Sequence, residues 1–182
     1  MERQAQICVI CGIKNSGKTT LIRALIGELT ARGLRTAVIK HDGHDFTCDV
    51  PGTDSSLFYE AGAYGTAVFS RNRIFVHRTE TCRMGDKKED REDTAKWEQE
   101  KAQELIALFP EADMIFIEGL KNTPLPKIEV VRAGFLTKPV SNPKGRFLIV
   151  TDLPAESFDE EVLGPGQVSE IADEILKNAI AI

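Results

Sequence analysis

The residues Gly12 to Thr20, GIKNSGKTT, contain the spacing G-x-x-x-x-G-K-[ST] between an apolar run and a helix-like run. In this motif, glycines let successive backbone N–H groups point at one centre and a helix N-terminus adds positive potential, so the loop binds a polyphosphate. We expect Lys18 to reach the β- and γ-phosphates and Thr19 to offer its hydroxyl to Mg²⁺. The alternative is an ordinary glycine-containing turn with an exposed Lys18, which fits the strand–helix context less well. The other loop residues expected to contact phosphate are Gly12, Lys14, Asn15, Ser16, Gly17 and Thr20.

An acidic side chain close to this loop would complete a metal site. The segment ADMIFIEGLK contains an apolar strand that ends at Glu118 and is followed directly by Gly119. Ligands of open parallel sheets bind at the carboxyl ends of the strands. We therefore expect Glu118 to help hold Mg²⁺ and Gly119 to let the backbone pass close to the terminal phosphate. The alternative is that Glu118 is an ordinary polar residue at a strand end.

The segment that follows the second predicted strand, KHDGHDFTCDVPGTDSS, is dense in groups that bind metal or phosphate. Lys40 and Asp42 stand where they can reach the γ-phosphate or the Mg²⁺ shell. A zinc site made from the histidines, aspartates and Cys48 is a weaker alternative, because the ligands lack a second group at the usual spacing. Asp54 is also a candidate helix cap that accepts hydrogen bonds from first-turn amides.

These side chains need a scaffold, and the hydrophobic pattern predicts one. Apolar runs alternate with segments of helical period, which predicts an α/β fold of the P-loop NTPase type with a mostly parallel, doubly wound sheet. The predicted strands cover residues 7–11, 36–40, 114–118, 127–131 and 147–151, and the predicted helices cover residues 18–31, 94–109 and 168–179.

Two segments interrupt this alternation. Residues 63–70 and 73–78 are β-rich runs joined by Arg71-Asn72, which predicts a hairpin added to the sheet, at an edge or in a subunit contact. Residues 79–93 carry ten charged residues in fifteen and predict a solvated loop, because they have almost nothing to bury. We predict one nucleotide-binding domain over residues 1–182.

Charge and length limit the classes of partner. A chain of 182 residues with 42% hydrophobic content can bury one sizeable core. The formal net charge of −5 gives no general attraction to nucleic acid or to an anionic membrane. No apolar run is long enough to cross a bilayer, and the start of the chain lacks the apolar core of a signal peptide. We therefore expect a cytoplasmic protein with no nucleic-acid or membrane partner.

The cysteines favour burial over chemistry. Cys8 and Cys11 form a CxxC pattern inside the apolar run ICVIC. Residues three apart on a strand point to opposite faces, so the two thiols would not share a metal or a disulfide. Buried small hydrophobic residues are therefore favoured over a redox pair.

Three groups of residues resemble, in order and spacing, the family of molybdopterin-guanine dinucleotide biosynthesis adaptor proteins, MobB. They are GIKNSGKTTLI, KHDGHDF followed by GTDS and AGA, and IEGLK followed by PKIEV, which together span residues 12–131. The resemblance implies a GTP-binding P-loop protein, commonly dimeric, with low intrinsic GTPase activity. It also implies a partner, the molybdopterin guanylyltransferase MobA, which attaches GMP to molybdopterin.

The resemblance carries over to individual positions. It implies phosphate and Mg²⁺ contacts for the matching loop residues, and a role on the metal side for Glu118-Gly119. It makes residues 41–54 a candidate surface for nucleotide or molybdopterin, and it gives the extra hairpin a part in a homodimer. The loop residues that match the family, and for which phosphate and Mg²⁺ contacts are implied, are Gly12, Gly17, Lys18 and Thr19.

Base recognition and catalysis are less defined by the sequence. The chain has no NKxD pattern, and Asp152 in VTDLP is either a substitute that accepts from guanine or a turn residue. No glutamine is clearly placed to orient an attacking water, so we expect slow hydrolysis. Arg71, Arg73 and Arg78 on the hairpin are arginine-finger candidates or, more commonly for exposed arginines, edge-protecting residues. An ATP-dependent small-molecule kinase or ligase of the P-loop class is the alternative function.

Overall fold

A computed structural model describes residues 4–42, 46, 48–79 and 91–181, with the backbone alone for residues 91–95. The chain divides into two compact units, one of Met1–His41 with Arg91–Ile182 and one of Asp42–Asp90. His44, Asp45 and residues 80–90 of the predicted charged loop lie outside the described residues.

The first unit is a layered α/β structure. Its helices are α1 (Lys18–Ala31), α3 (Arg91–Ile106) and α4 (Val168–Asn178), with a short 3₁₀ turn at Ala155–Ser157. Its strands are β1 (Gln6–Cys11), β2 (Thr36–Lys40), β5 (Met114–Glu118), β6 (Lys127–Val131), β7 (Arg146–Thr151), β8 (Glu161–Leu163) and β9 (Ile180–Ala181).

The strands of this unit form one sheet with β1 at its centre. Within the described residues the order is β2-β5-β1-β6-β7-β8, and each neighbouring pair in it is parallel. β9 pairs antiparallel with Gln6 and Ile7 at the start of β1. After β1 the chain forms β2 and β5 on one side of β1, and it then forms β6 on the other side of β1. This change of direction opens a crevice at the carboxyl end of β1, where open parallel sheets bind ligands.

Each face of the sheet is covered by its own apolar layer. On the face that packs against α1 and α4, Cys8, Ile10 and Phe116 are fully buried. On the face that packs against α3, Val9 and Cys11 are buried. The two thiols therefore point to opposite faces, as the sequence predicts. Burial raises the pKa of Cys11 to about 11, and it raises the pKa of Cys8 further, so both thiols are neutral at physiological pH.

The second unit contains the hairpin. Its elements are α2 (Asp54–Glu60), β3 (Gly65–Phe69) and β4 (Ile74–Arg78), and β3 and β4 pair antiparallel. The ring of Tyr59 on α2 stacks on His77 of β4 at a centroid distance of 4.0 Å. The Tyr59 hydroxyl also shares a hydrogen bond of 2.5 Å with Oγ1 of Thr79. These contacts join the helix to the hairpin within the unit.

The predicted fold class is confirmed, and the differences are local. The hairpin forms a separate two-stranded sheet, not a strand pair hydrogen-bonded to the parallel sheet. The helix predicted over residues 94–109 runs from Arg91 to Ile106, so it begins inside the predicted charged loop, where Arg and Glu are good helix formers. Thr53, not Asp54, occupies the N-cap of α2, and its hydroxyl donates to the carbonyl of Val50 at 2.8 Å instead of capping the helix.

Among the described residues, none of the helices combines the length and the apolarity that a membrane span requires.

Candidate nucleotide-binding site

The loop between β1 and α1 has the backbone shape that the motif predicts. Gly12, Asn15 and Gly17 have positive φ angles of 139°, 63° and 99°. A β-carbon added at Gly12 would lie 2.5 Å from the carbonyl oxygen of Val130, so only glycine fits where the loop leaves β1. The loop therefore curls back over the end of the sheet and then enters α1 through a left-handed glycine.

Lys18 folds across this loop. Its Nζ donates hydrogen bonds to the carbonyl oxygens of Gly12 at 3.2 Å and Ile13 at 2.6 Å. The ammonium group is therefore held above the loop by main-chain acceptors, where an anion could also contact it. The side chains of four other predicted loop residues are exposed and accessible to a ligand: Lys14, Asn15, Thr19 and Thr20.

Ser16 is the buried polar residue of the loop. The residue is 2% exposed, and its Oγ has no hydrogen-bond partner within the described residues. A buried hydroxyl without a partner costs free energy, so such a group points to a ligand or water that is bound there. This hydroxyl is the observation that best fits a bound phosphate.

Glu118 lies level with the loop on the neighbouring strand. It is in register with Ile10 of β1 on one side and Lys40 of β2 on the other. Phe116 and Val38 lie two residues before Glu118 and Lys40 on their strands, and Phe116 packs on the face that contacts α1. Side chains two residues apart on a strand share a face, so Glu118 and Lys40 also belong to the α1 face. The sheet therefore brings both predicted residues to the same edge and the same face as the start of α1.

The backbone after Glu118 is shaped by close contacts. Gly119 has a φ of 112°, and its N–H donates to the carbonyl of Ile10 at 3.1 Å. A β-carbon at Gly119 would lie 3.1 Å from the carbonyl oxygen of His41. Leu120 follows with a φ of 44°, which is strained for a leucine. The glycine lets β5 leave the sheet between β1 and β2 without moving either strand.

The residues fit a hydrated Mg²⁺ with few protein ligands. The exposed hydroxyl of Thr19 and the carboxylate of Glu118 would be its protein ligands, and Mg²⁺ commonly takes one or two protein ligands together with phosphate oxygens and waters. Within the described part of the chain, no three His, Cys, Asp or Glu side chains group as a metal site. Asp42 begins the second unit, so its predicted contact with Mg²⁺ stays a prediction.

A cavity of about 330 Å³ opens beside the loop, on the opposite flank from Glu118. It lies along α1, next to the carboxyl ends of β6 and β7. Asp152 lines it, while Oδ1 of the same side chain accepts from the N–H of Ala133 at 2.7 Å. The structure thus fits both interpretations of Asp152, a turn residue and a group that faces a ligand. The residues that line the cavity and carry the argument are Ser16, Gly17, Thr20, Arg132, Asp152 and Gly166.

Arg132 is a site residue that the sequence patterns did not single out. It is the first residue after β6 and lines the same cavity. A usable signal was present, because Ile128 and Val130 point to the face of α1 and the alternation of the strand assigns Arg132 to that face too. The hairpin arginines 71, 73 and 78 belong to the second unit, and their catalytic role stays a prediction.

A buried polar network fixes the opposite face of β6. The carboxylate of Glu129 accepts from the N–H groups of Val140 and Ser141 at 2.6 and 3.0 Å, and from Nη1 of Arg146 at 3.3 Å. Nζ of Lys127 donates to the carbonyls of Asn142 and Lys144, at 3.2 and 2.5 Å. Burial lowers the pKa of Lys127. These bonds hold the connection from β6 to β7 against the sheet.

Comparisons with known proteins identify the family. Residues 7–152 match the family model described as Molybdopterin guanine dinucleotide synthesis protein B, MobB. The chain is 32% identical over 176 residues to the molybdopterin-guanine dinucleotide biosynthesis adapter protein of Haemophilus influenzae, which covers 95% of this chain and 89% of that protein. It is 33% identical over 171 residues to the Escherichia coli K12 protein of the same description, covering 89% of this chain and 86% of that protein.

The fold is similar to a solved structure as well. The crystal structure of Bacillus subtilis MobB matches with a TM-score of 0.64 and 22% identity, over 96% of this chain and 98% of that chain. At this identity the likeness shows the fold alone. Together with the family model and the relatives above 30% identity, it leads to one assignment: the chain belongs to the MobB family.

Proposed function

We propose that this chain is a GTP-binding adaptor in the biosynthesis of the molybdopterin guanine dinucleotide cofactor. Family membership supports the adaptor role. In this proposal the chain binds GTP with Mg²⁺ at the loop between β1 and α1 and assists the guanylyltransferase MobA as it attaches GMP to molybdopterin. The observation that carries nucleotide binding is the buried, unpartnered hydroxyl of Ser16 inside a glycine loop at the start of a helix.

The residues of this chain would bind and orient the nucleotide. Backbone N–H groups of the loop and of the first turn of α1 donate to the phosphates, and the ammonium of Lys18 adds a charge-assisted contact. Thr19 and Glu118 would hold Mg²⁺, which neutralises charge on the β- and γ-phosphates when it is bound. Among the residues that the structure describes, no group is clearly placed to orient an attacking water, which supports slow hydrolysis and a carrier or adaptor role.

The second unit supports the proposal of a homodimer. Its hairpin exposes large apolar side chains on both strands, with Phe69 82% exposed and Ile74 79% exposed. These two residues are directly opposite each other in the β3–β4 register. Exposed apolar surface of this kind marks interaction sites, and a second copy of the chain is the partner we propose.

The test is titration calorimetry of the purified protein with GTP and with ATP, each with and without Mg²⁺. We expect GTP to bind more tightly than ATP. Lys18→Ala should weaken GTP binding by roughly 2–3 kcal/mol, because it removes a charge-assisted contact, while the fold stays intact by circular dichroism. Lys138→Ala removes an exposed cation that is neither part of the loop nor among the residues that line the cavity, and it serves as the control. Equal affinity of the Lys18→Ala variant and the parent would contradict the phosphate role of Lys18.

Glu118→Gln separates the metal side of the site from the phosphate side. It should leave Mg²⁺-free binding unchanged and reduce the gain in affinity that Mg²⁺ gives. The same metal dependence in both proteins would exclude Glu118 from the site.

The adaptor role itself is tested by reconstitution, in which the protein should stimulate guanine dinucleotide formation by MobA. Rapid phosphorylation or ligation of a small molecule with ATP, and no stimulation of MobA, would favour the kinase or ligase alternative.

A further inference from the structure

We infer that Arg132 is a nucleotide-positioning residue that contacts the phosphate nearest the nucleoside, on the flank of the loop opposite Glu118. The inference rests on the proposed nucleotide site and adds to it a residue that the phosphate-loop motif does not contain.

The position of Arg132 is the first step. It directly follows β6, and its side chain lines the cavity beside the loop. A β-carbon added at Gly17 would lie 3.3 Å from Nη1 of Arg132, so the guanidinium lies against the N-cap residue of α1. A side chain at position 17 would displace it.

The charge around Arg132 is the second step. The helix N-terminus carries partial positive charge, and Lys18 adds a full charge within the same turn. Among the described residues, the Arg132 guanidinium has no hydrogen bond or ion pair with a carboxylate. Asp152 is the carboxylate that lines the same cavity, and its Oδ1 accepts from the N–H of Ala133. One carboxylate beside Arg132, Lys18 and the helix N-terminus leaves an excess of positive charge, which favours an anionic ligand.

Ser16 gives independent support. Its Oγ is buried and has no hydrogen-bond partner in the part of the chain that the structure describes, and Ser16 lines the same cavity. The hydroxyl therefore has an unmet hydrogen bond at the place where the charges of Arg132 and α1 meet. A phosphate oxygen there would satisfy the hydroxyl and separate the positive groups.

The strand order identifies which phosphate this is. Glu118 ends β5 on one side of β1, and Arg132 follows β6 on the other side. If Mg²⁺ and the terminal phosphate lie toward Glu118, the rest of the nucleotide extends toward β6 and β7. The cavity opens there, along Thr20 and Ala24 of α1 and up to Asp152. A volume of about 330 Å³ is in the range of small-ligand pockets. Arg132 thus meets the ligand where the phosphates join the nucleoside.

The experiment compares GMP, GDP and GTP on four proteins: the parent, Arg132→Ala, Lys18→Ala and Lys138→Ala. Binding of each nucleotide is read by competition against a fluorescent GDP derivative, with and without Mg²⁺. Arg132→Ala should weaken all three nucleotides by roughly tenfold, independent of Mg²⁺, because it removes a charge-assisted contact to the phosphate that they share. Lys18→Ala should weaken GDP and GTP and spare GMP, and Lys138→Ala should change none of them.

Two further readouts keep the outcome clear. Arg132→Lys should recover part of the lost affinity, since it keeps the charge and loses the forked donor geometry. The thermal melting of the Arg132 variants should match the parent, because the side chain is exposed. Unchanged binding by Arg132→Ala, or a loss confined to GTP, would overturn the inference while leaving the nucleotide site in place. A parent protein that binds no nucleotide would overturn both proposals, and the titration of the parent alone would show this.

Discussion

Gly12 shows at the scale of one residue how closely the loop is fitted to the sheet. It combines a φ of 139° with a distance of 2.5 Å between an added β-carbon and the backbone oxygen of Val130. Backbone atoms in the centre of a sheet cannot move aside as a side chain can. Both the conformation and the contact therefore require glycine, which makes the start of the loop a rigid part of the fold.

We predict that Gly12→Ala destabilises the protein by about 1–3 kcal/mol and reduces nucleotide affinity, because the loop must distort to keep the new methyl group clear of Val130. Urea unfolding followed by circular dichroism measures the first effect and calorimetry the second.

Gly27→Ala is the matched control. Gly27 lies inside α1, and an added β-carbon there would meet no atom within 4 Å. That substitution should stabilise the helix by up to about 1 kcal/mol. Equal effects of both substitutions would argue against a fitted loop.

At the scale of elements, the two faces of β6 have different structural roles. Its α1 face carries Ile128 and Val130 into the core and ends at the cavity with Arg132. Its other face carries Lys127 and Glu129, which bind the main chain of the connection to β7. A charged pair of side chains inside a sheet is costly unless its hydrogen bonds are complete, and here main-chain groups and Arg146 complete them.

Glu129→Ala should therefore destabilise the protein by about 3–5 kcal/mol, because Arg146 and two N–H groups lose a buried acceptor. Ser141→Ala removes only the hydroxyl that donates to Glu129 at 2.6 Å, and we expect about 1 kcal/mol. Chemical unfolding of the two variants against the parent gives both values. A loss for Glu129→Ala no larger than that for Ser141→Ala would show that the carboxylate is not an essential acceptor.

The elements that the sequence predicts well are those with a strong local pattern. β2, β5 and β6 are predicted to the residue, because each is a short segment in which apolar residues predominate. β8 and β9 are missed, since three or two residues are too short to show a period. For the site, the phosphate loop and Glu118 could be located from motif and strand end. The alternation of β6 assigns Arg132 to the α1 face, but its place beside the loop depends on which strands are neighbours, a long-range property that no local pattern carries.

On the scale of the whole molecule, the exposed hairpin leads to a prediction about the assembly of two copies of the chain. Ile74→Asp places a charge among the exposed apolar side chains of β3 and β4, and we expect it to convert a dimer into a monomer, because a buried unpaired charge would oppose association. Light scattering coupled to size-exclusion chromatography measures the mass.

Leu108→Asp serves as the control for this prediction, since Leu108 is an exposed apolar residue that belongs to the first unit and not to the hairpin. Its mass should equal that of the parent, and both variants should keep a nucleotide affinity close to the parent. A dimeric Ile74→Asp protein would show that the copies associate through another surface.

The pairing of β6 with β7 contains one irregularity, and it decides which side chain neighbours Arg132. Lys127 is level with Arg146, but Ile128 is level with Leu148, so Phe147 is passed over. The shift carries through to Val131 opposite Thr151, which leaves Arg132 and Asp152 as the next pair along the two strands. If Phe147 paired with Ile128 instead, Thr151 would stand beside Arg132 and the carboxylate would turn to the opposite face. Phe147, which lies outside the site, thus decides that an acid and not a hydroxyl neighbours Arg132 at the rim of the cavity.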